Sequence, residues 1–281
     1  MSRMCDNMLL ERTISTSSKK ERRQHQSGKE NYLMQAFMSK SDAKTHGAIV
    51  DTVSGGFGSK QQDHSQDFYL PEDMLDQAPS LGSLVDSGVS KVLVLDFDGV
   101  VNPFALVGPG KKYYPTNHLV YVPNPYFTEN SEDEPADYPI RWSDNLISEI
   151  NSLVQDEGTA LVWLTTWKQY AGTLSKMVGI ESSGQQFYLN FGVDGENHPA
   201  QSDKKPAMEN WLAGITALQS DSAGKHDDVK VVWVDDTVLC GSYAGHIKDM
   251  FDNHLLTIAP KSIKGISTRQ MSQMKKFLSN H

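Results

Sequence analysis

Short runs of apolar, mostly β-branched residues recur along the second half of the chain, each bounded by polar residues or glycine. Unbroken apolar runs of this length are typical of strands that are buried on both faces of a parallel sheet. They predict strands over residues 92–95, 159–164, 229–234 and 255–258, with a shorter one over 186–191.

Apolar residues with helical spacing fill the intervals between these strands. Ser143 is a plausible N-cap for one such helix, and Pro206 suits the first turn of another. Further helices are predicted over 170–178 and 241–253 and after Ser267. Strands that alternate with helices in this way predict an α/β fold, a three-layer, Rossmann-like, doubly wound parallel sheet.

The chain divides into two regions by composition. Residues 1–88 are polar and are predicted to be mostly disordered, with a short apolar segment at 81–85 that is a candidate for docking on the following domain. Residues 89–281 are predicted to form that domain. Within it, residues 104–142 lack helical periodicity and are predicted to form a flap with a hairpin at 113–122 and an acidic loop at 129–137.

Charge and cysteine usage narrow the class of protein. The net charge is −9, which argues against a general nucleic-acid-binding surface but leaves room for a local basic patch. The two cysteines form no disulfide or zinc-binding pattern, and no apolar run approaches the ~20 residues of a membrane span. We therefore expect a cytoplasmic protein of unknown oligomeric state.

Two carboxylates follow the first predicted strand. Asp96 and Asp98 lie two residues apart, so extended backbone places both side chains on one side, and Gly99 then turns the chain away. A single aspartate here is often only a helix cap or a turn former. Two adjacent acids, however, repel each other unless a cation or a proton lies between them, and Mg²⁺ is the cation that carboxylates and phosphate commonly share.

Two more strands end in polar residues. Thr165 and Thr166 follow the strand at 159–164, and Asp235 and Asp236 follow the strand at 229–234. The carboxyl ends of parallel strands meet at one edge of the sheet, which is where α/β folds bind their ligands. The sequence thus predicts a phosphoryl-transfer site at this edge.

Three motifs resemble those of the haloacid dehalogenase (HAD) superfamily of phosphohydrolases. They are LVLDFDGVVN at 93–102, VWLTTW at 162–167 and VVWVDD at 231–236. The amino-acid sequences of the second and third of these motifs are similar to those of small bacterial members that lack a large cap domain. The resemblance covers roughly residues 90–280 and implies a HAD-like core with a minimal cap.

The resemblance implies a role for each strand-end residue. Asp96 would be the nucleophile that forms an aspartyl-phosphate, and Asp98 would be the general acid and then the general base. The Asp96 carboxylate and the Asp98 backbone carbonyl would hold Mg²⁺ together with Asp235, and Asp236 would be a second acid of the metal site. Thr165 would bind the phosphoryl oxygens, and Thr166 beside it is a further candidate.

The superfamily also requires a lysine that balances the phosphate and the nucleophile. Lys204 and Lys205 stand directly before Pro206, where this lysine is expected, and the spacing favours Lys204. Lys168, after the second motif, is a third candidate.

These features predict a Mg²⁺-dependent phosphatase that hydrolyses a phosphomonoester, with a small molecule as the expected substrate. Two alternatives stay open. One is a catalytically weak regulatory domain that binds a phosphorylated partner, and the other is a phosphatase or phosphotransferase that acts on nucleic-acid ends or on phosphoprotein.

Overall fold

The structure, a computed structural model, describes residues 74–123, 137–183, 185–192, 203–220 and 229–279. The predicted disorder of the N-terminal region and the acidic loop therefore lie largely outside the described residues. In chain order the elements are α1 (Leu81–Asp86), β1 (Lys91–Leu95), β2 (His118–Pro123), β3 (Asp137–Trp142), α2 (Asp144–Val154), β4 (Thr159–Trp163), α3 (Ala171–Val178), β5 (Gln186–Tyr188), α4 (Lys204–Ser220), β6 (Lys230–Val234), α5 (Tyr243–Phe251), β7 (Leu255–Ile258) and α6 (Thr268–Ser279).

The central sheet has five parallel strands in the order β5-β4-β1-β6-β7. Leu95, the last residue of β1, lies in register with Trp163 of β4 and Val234 of β6. The three strands consequently end at the same level, and the polar residues that follow them share one edge. Each predicted strand is present, although β5 ends at Tyr188 rather than at residue 191.

Alternate residues of the strands face two separate layers of helices. Leu93 and Leu95 of β1 pack in the core cluster that contains buried residues of α2, α3 and α6. Val92 and Val94 pack in the other cluster, with residues of α1, α4 and α5. The predicted three-layer, doubly wound α/β fold is confirmed. None of the described helices is both long and apolar enough to cross a membrane.

The short helix α1 packs on the domain before β1 begins. Ser80 accepts a hydrogen bond from the Ser83 amide as the N-cap, and Leu81 and Leu84 are buried in the second core cluster. The segment at 81–85 thus packs on the domain, as its apolar residues predict. The boundary between the two regions, placed after residue 88, stays a prediction.

The flap hairpin differs from the sequence-based expectation. Residues 113–122 do not pair among themselves. Instead β2 pairs with β3 in antiparallel register, from His118 opposite Trp142 to Pro123 opposite Asp137. Ser143 does occupy the N-cap position of α2 but makes no side-chain capping bond, and the Asp144 amide donates to the side chain of Asn117 instead (3.0 Å).

Candidate active site

The first motif leaves β1 in a tight turn. The Asp96 amide donates to the Val234 carbonyl at 2.9 Å, which extends the pairing with β6 by one residue. The amides of Val101 and Asn102 then both donate to the Phe97 carbonyl at 2.9 Å. Gly99 closes the turn with a φ of +72°, a backbone conformation that residues with a side chain rarely adopt. This turn holds Asp96 and Asp98 at the edge of the sheet.

Lys204, the first residue of α4, lies between two of the predicted acids. Its Nζ donates to Asp96 Oδ2 at 2.5 Å and to Asp235 Oδ2 at 3.0 Å, and its side chain is fully buried. Burial alone would lower the pKa of Lys204, but the two carboxylates outweigh burial and raise this pKa. The buried lysine is therefore a fixed positive charge beside the predicted nucleophile.

The other lysine candidates lie elsewhere. The ammonium of Lys205 is 4.7 Å from the ring centroid of Tyr243, and Lys168 begins a short 3-10 helix (Lys168–Tyr170) with a φ of +47°. Neither forms an ion pair with Asp96, Asp235 or Asp236 among the described residues. Of the three lysine candidates, all within the described residues, the structure places only Lys204 where the resemblance requires a lysine.

Three carboxylates converge at the ends of β1 and β6. Asp96, Asp235 and Asp236 are buried, and one carboxylate oxygen of each lies within 4.8 Å of the others. Burial raises the pKa of Asp96 well above its usual range, with Lys204 opposing this shift and the neighbouring acids adding to it. Burial, with a further contribution from Asp235, raises the pKa of Asp236 to about 6. One lysine thus faces three acids, which leaves a buried excess of negative charge.

The remaining acid, Asp98, is held by hydrogen-bond donors from three parts of the chain. Asn102 Nδ2 donates to its Oδ1 at 2.7 Å, and the indole of Trp167 donates to its Oδ2 at 2.8 Å. The hydroxyl of Tyr138, in β3, is a third hydrogen-bond partner. Burial raises the pKa of Asp98, and these donors lower it by a smaller amount. Its carboxyl group is therefore fixed in orientation and retains a proton more readily than an exposed aspartate.

Asn102 joins the first motif to the flap. Its side chain is completely buried, and besides Asp98 its Nδ2 donates to the carbonyl of Pro139 at 3.2 Å. Its Oδ1 accepts the amide of Arg141 at 2.8 Å. The side-chain amide thus pairs with the free edge of β3 as a neighbouring strand would. A displacement of the flap is in this way coupled to the position of Asp98.

Thr165 follows β4 next to the first motif. It is fully buried, and its hydroxyl has no hydrogen-bond partner among the described residues. A buried hydroxyl without a partner is costly, so it is suited to a ligand that supplies one. The adjacent Thr166 is only partly buried.

Sequence comparison assigns this site to a family. The model of the HAD domain in Swiss Army Knife RNA repair proteins matches residues 92–271, which is more than half of the chain. The chain belongs to this HAD family. The matched range contains every strand-end acid and threonine of the site, together with Lys204.

Other comparisons add little to this assignment. No curated protein matches the chain. Among solved structures, the crystal structure of a probable YrbI family phosphatase from Pseudomonas syringae pv. phaseolica 1448a matches with 15% identity. The match covers 70% of this chain and 89% of that chain with a TM-score of 0.29, which is too low to support any inference.

The donor set of this HAD domain fits a divalent metal. The acids Asp96, Asp235 and Asp236 supply carboxylate oxygens only, which are the ligands that Mg²⁺ prefers. Asp235 Oδ1 accepts the amides of Thr237 and Val238, at 2.9 and 2.6 Å, so the turn after β6 holds this carboxylate in place. A divalent cation would neutralise the negative charge of these three acids that Lys204 does not balance.

Three residues that hold Asp98 in the HAD site, Asn102, Tyr138 and Trp167, are not among the site residues that the sequence predicts. For Trp167 the sequence favours a core position, with a place in the lining of the substrate pocket as the alternative. Trp167 is indeed buried in the first core cluster, and its indole also reaches Asp98. The contacts that reveal their roles join residues as many as 69 positions apart, which no local pattern encodes.

Proposed function

We propose that this HAD domain is a Mg²⁺-dependent phosphatase that hydrolyses phosphomonoesters through an aspartyl-phosphate on Asp96. The observation that carries the proposal is the position of the Asp96 carboxylate. It contacts the buried ammonium of Lys204, and it lies within 4.8 Å of two further carboxylates suited to a metal. A nucleophilic carboxylate, a fixed cation and a metal site are the parts that phosphoryl transfer to an aspartate needs.

In the first step, a carboxylate oxygen of Asp96 attacks phosphorus and the bond to the leaving oxygen breaks. Asp98, whose pKa is raised by burial, gives its proton to the leaving oxygen. In the second step, the ionised Asp98 removes a proton from water as this water attacks phosphorus, which releases phosphate and restores the Asp96 carboxylate. Lys204 and the hydroxyl of Thr165 bind the phosphoryl oxygens in both steps.

Asp96, Asp235 and Asp236 would hold the Mg²⁺ ion, together with the backbone carbonyl of Asp98. When bound, the ion would offset the repulsion between the phosphate and the nucleophile. Without a cation, Lys204 alone balances three buried acids. This imbalance is why a metal-dependent reaction is favoured over a metal-independent one.

A second candidate substrate class is a phosphorylated nucleic-acid end. The family to which the chain belongs is described as a domain of RNA repair proteins, which favours this substrate over the small molecule expected from the sequence. The regulatory alternative, in which the domain only binds a phosphorylated partner, does not explain an Asp98 that is held by three donors beside the nucleophile.

The proposal is tested by hydrolysis of p-nitrophenyl phosphate with purified protein, in Mg²⁺ and in EDTA. Turnover should require Mg²⁺ and should be lost in Asp96→Asn. A matched control is Asp156→Asn, because this exposed acid pairs with Lys91 at the start of β1, the end opposite to Asp96, and should keep full activity. Absence of turnover over a broad panel of phosphate esters, with Mg²⁺ shown to bind, would instead support the regulatory alternative.

A further inference from the structure

Two segments beside the site contain basic residues and no acidic ones. No aspartate or glutamate occurs from residue 99 to 123 or from 253 to the end of the chain, although the protein has 35 acidic residues and a net charge of −9. The two segments carry seven cations, and we define five of them together as the basic surface: Lys111, Lys112, Lys261, Lys264 and Arg269. None of the five forms an ion pair with a described residue.

These segments pack on each other. The Thr268 hydroxyl donates to the carbonyls of Lys111 and Lys112, at 3.0 and 3.3 Å, and its amide also donates to Lys112. A β-bridge joins Tyr113 to Ser267. The backbone at Lys111 and Lys112 thus lies against the backbone just before Arg269, although about 150 residues separate the two segments in sequence.

The basic surface adjoins the catalytic turn. The Ile266 amide donates to the Val100 carbonyl at 3.2 Å, and the Phe104 amide donates to the Ser262 carbonyl at 3.0 Å. The side chain of Ser262 also hydrogen-bonds Asp236, one of the three clustered acids. Lys261 and Lys264 therefore flank a residue that contacts the site itself.

Exposed apolar side chains accompany the cations. Four large hydrophobic side chains are exposed among the described residues, and two of them, Leu106 and Ile263, belong to these two segments. Nucleic-acid strands combine a regularly charged backbone with apolar base faces, so cations beside exposed apolar side chains match both parts of such a strand.

We propose that the basic surface binds the phosphodiester backbone of a single nucleic-acid strand whose terminal phosphate enters the site. Lys204 and the metal ligands bind the terminal phosphate itself. Cations outside the site therefore have a partner only in a substrate whose negative charges repeat along its length. A phosphopeptide or a small phosphate ester does not carry such repeated charges. The placement of the terminal phosphate rests on the proposed function, whereas binding of the strand to the basic surface can be measured without turnover.

The test compares two double variants of equal charge. Lys111→Gln/Lys261→Gln removes one cation from each segment of the basic surface. The control, Lys91→Gln/Lys248→Gln, removes a cation at the start of β1, the end opposite to Asp96, and one within α5. Binding of a fluorescent single-stranded oligoribonucleotide of about ten nucleotides with a terminal phosphate is followed by anisotropy over a range of salt concentrations.

The wild-type affinity should fall steeply with salt. The first variant should bind about tenfold more weakly at low salt, with a slope of log K against log salt that is smaller by about 1.4, since each contact with a single-strand phosphate contributes about 0.7. The control should match the wild type within about twofold. The ratio of kcat/KM for the oligonucleotide to that for p-nitrophenyl phosphate should fall by a similar factor only in the first variant.

Equal losses in both variants, salt-independent binding, or a singly phosphorylated peptide that binds as tightly as the oligonucleotide would overturn the basic surface as a strand-binding site. A protein that binds the strand through these lysines but hydrolyses no phosphate ester would leave this inference standing and refute the proposed function. The two failures are therefore distinguishable.

Discussion

Replacement of Lys204 by methionine removes the only cation that lies among the clustered acids in the part of the chain that the structure describes. Methionine retains an unbranched side chain of similar length, so it fills the same space without the charge. Lys204 and Asp235 are fully buried and the side chain of Asp96 is 3% exposed. Two carboxylates consequently lose their ion pair, and water has little access to replace it.

The size of the effect follows from this burial. Removal of one partner of a buried ion pair typically costs about 3–5 kcal/mol, because a charge is left without compensation. We therefore expect the free energy of unfolding of Lys204→Met in EDTA at neutral pH to be lower than that of the wild type by about this amount. The deficit should shrink as the pH falls, since burial already raises the pKa of Asp96 and protonation removes its charge.

The assay is urea unfolding of the wild type, Lys204→Met and Lys205→Met at neutral and mildly acidic pH. Lys205→Met is a matched control because it changes the next residue of the same helix, whose ammonium contacts only the Tyr243 ring among the interactions described. An exposed cation–π contact is worth about 0.5–1 kcal/mol. A deficit for Lys204→Met below about 1 kcal/mol, or equal to that of the control, would refute the view that this ammonium neutralises buried carboxylates.

Three further predictions concern the charge and the geometry of the site. Burial raises the pKa of Asp236 from 3.8 to about 6. Protonation of Asp236 therefore stabilises the folded, metal-free protein fully below about pH 4, and this stabilisation is lost as the pH rises through about 6. This loss should be on the order of 3 kcal/mol in urea unfolding and should be offset by Mg²⁺, and a flat profile in EDTA would contradict it. Gly99→Ala should weaken Mg²⁺ binding in calorimetry by about tenfold or more, because a Cβ at this positive φ would come within 2.8 Å of the Asp236 carboxyl atoms. Gly108→Ala is the control: the space around Gly108 is open, so this variant should not weaken Mg²⁺ binding. Asn102→Ala frees both Asp98 and the edge of β3, so the single-turnover rate of Asp96 phosphorylation should fall about tenfold or more for an alkyl phosphate and much less for p-nitrophenyl phosphate, whose leaving group needs no proton. Equal losses on both substrates in this step would argue against a role through Asp98.

The strand-end acids could be predicted because a purely local pattern determines them. A buried parallel strand is an unbroken apolar run, and its first polar residues mark the edge of the sheet. The spacing to Pro206 favours Lys204 over Lys205, but only the helix itself shows which of the two faces the acids. Successive residues of a helix are rotated by about 100°, so only one of the two lysines can face the acids, and the sequence does not give the orientation of α4.

The flap was harder to predict for a different reason. The strand β3 reads DYPIRW, and a proline within a run argues against a central strand. Here Pro139 lies in a two-stranded hairpin whose free edge is completed by the side chain of Asn102, so the missing amide leaves no gap in a ladder. The same long-range pairing brings Tyr138 to Asp98, so the sequence predicts neither the strand β3 nor the contact between Tyr138 and Asp98.

The central claim is that Asp96 is the nucleophile, and the most direct measurement is the detection of its phosphorylated form. Wild-type protein is mixed with Mg²⁺ and a phosphate ester, quenched rapidly in acid, digested and examined by mass spectrometry. We predict that the peptide containing Asp96 carries one added phosphoryl group, that the group is lost when the quench is delayed until substrate is exhausted, and that it is absent from Asp96→Asn. Full turnover by Asp96→Asn, or steady turnover by the wild type with the phosphoryl group found on another residue, would contradict the account.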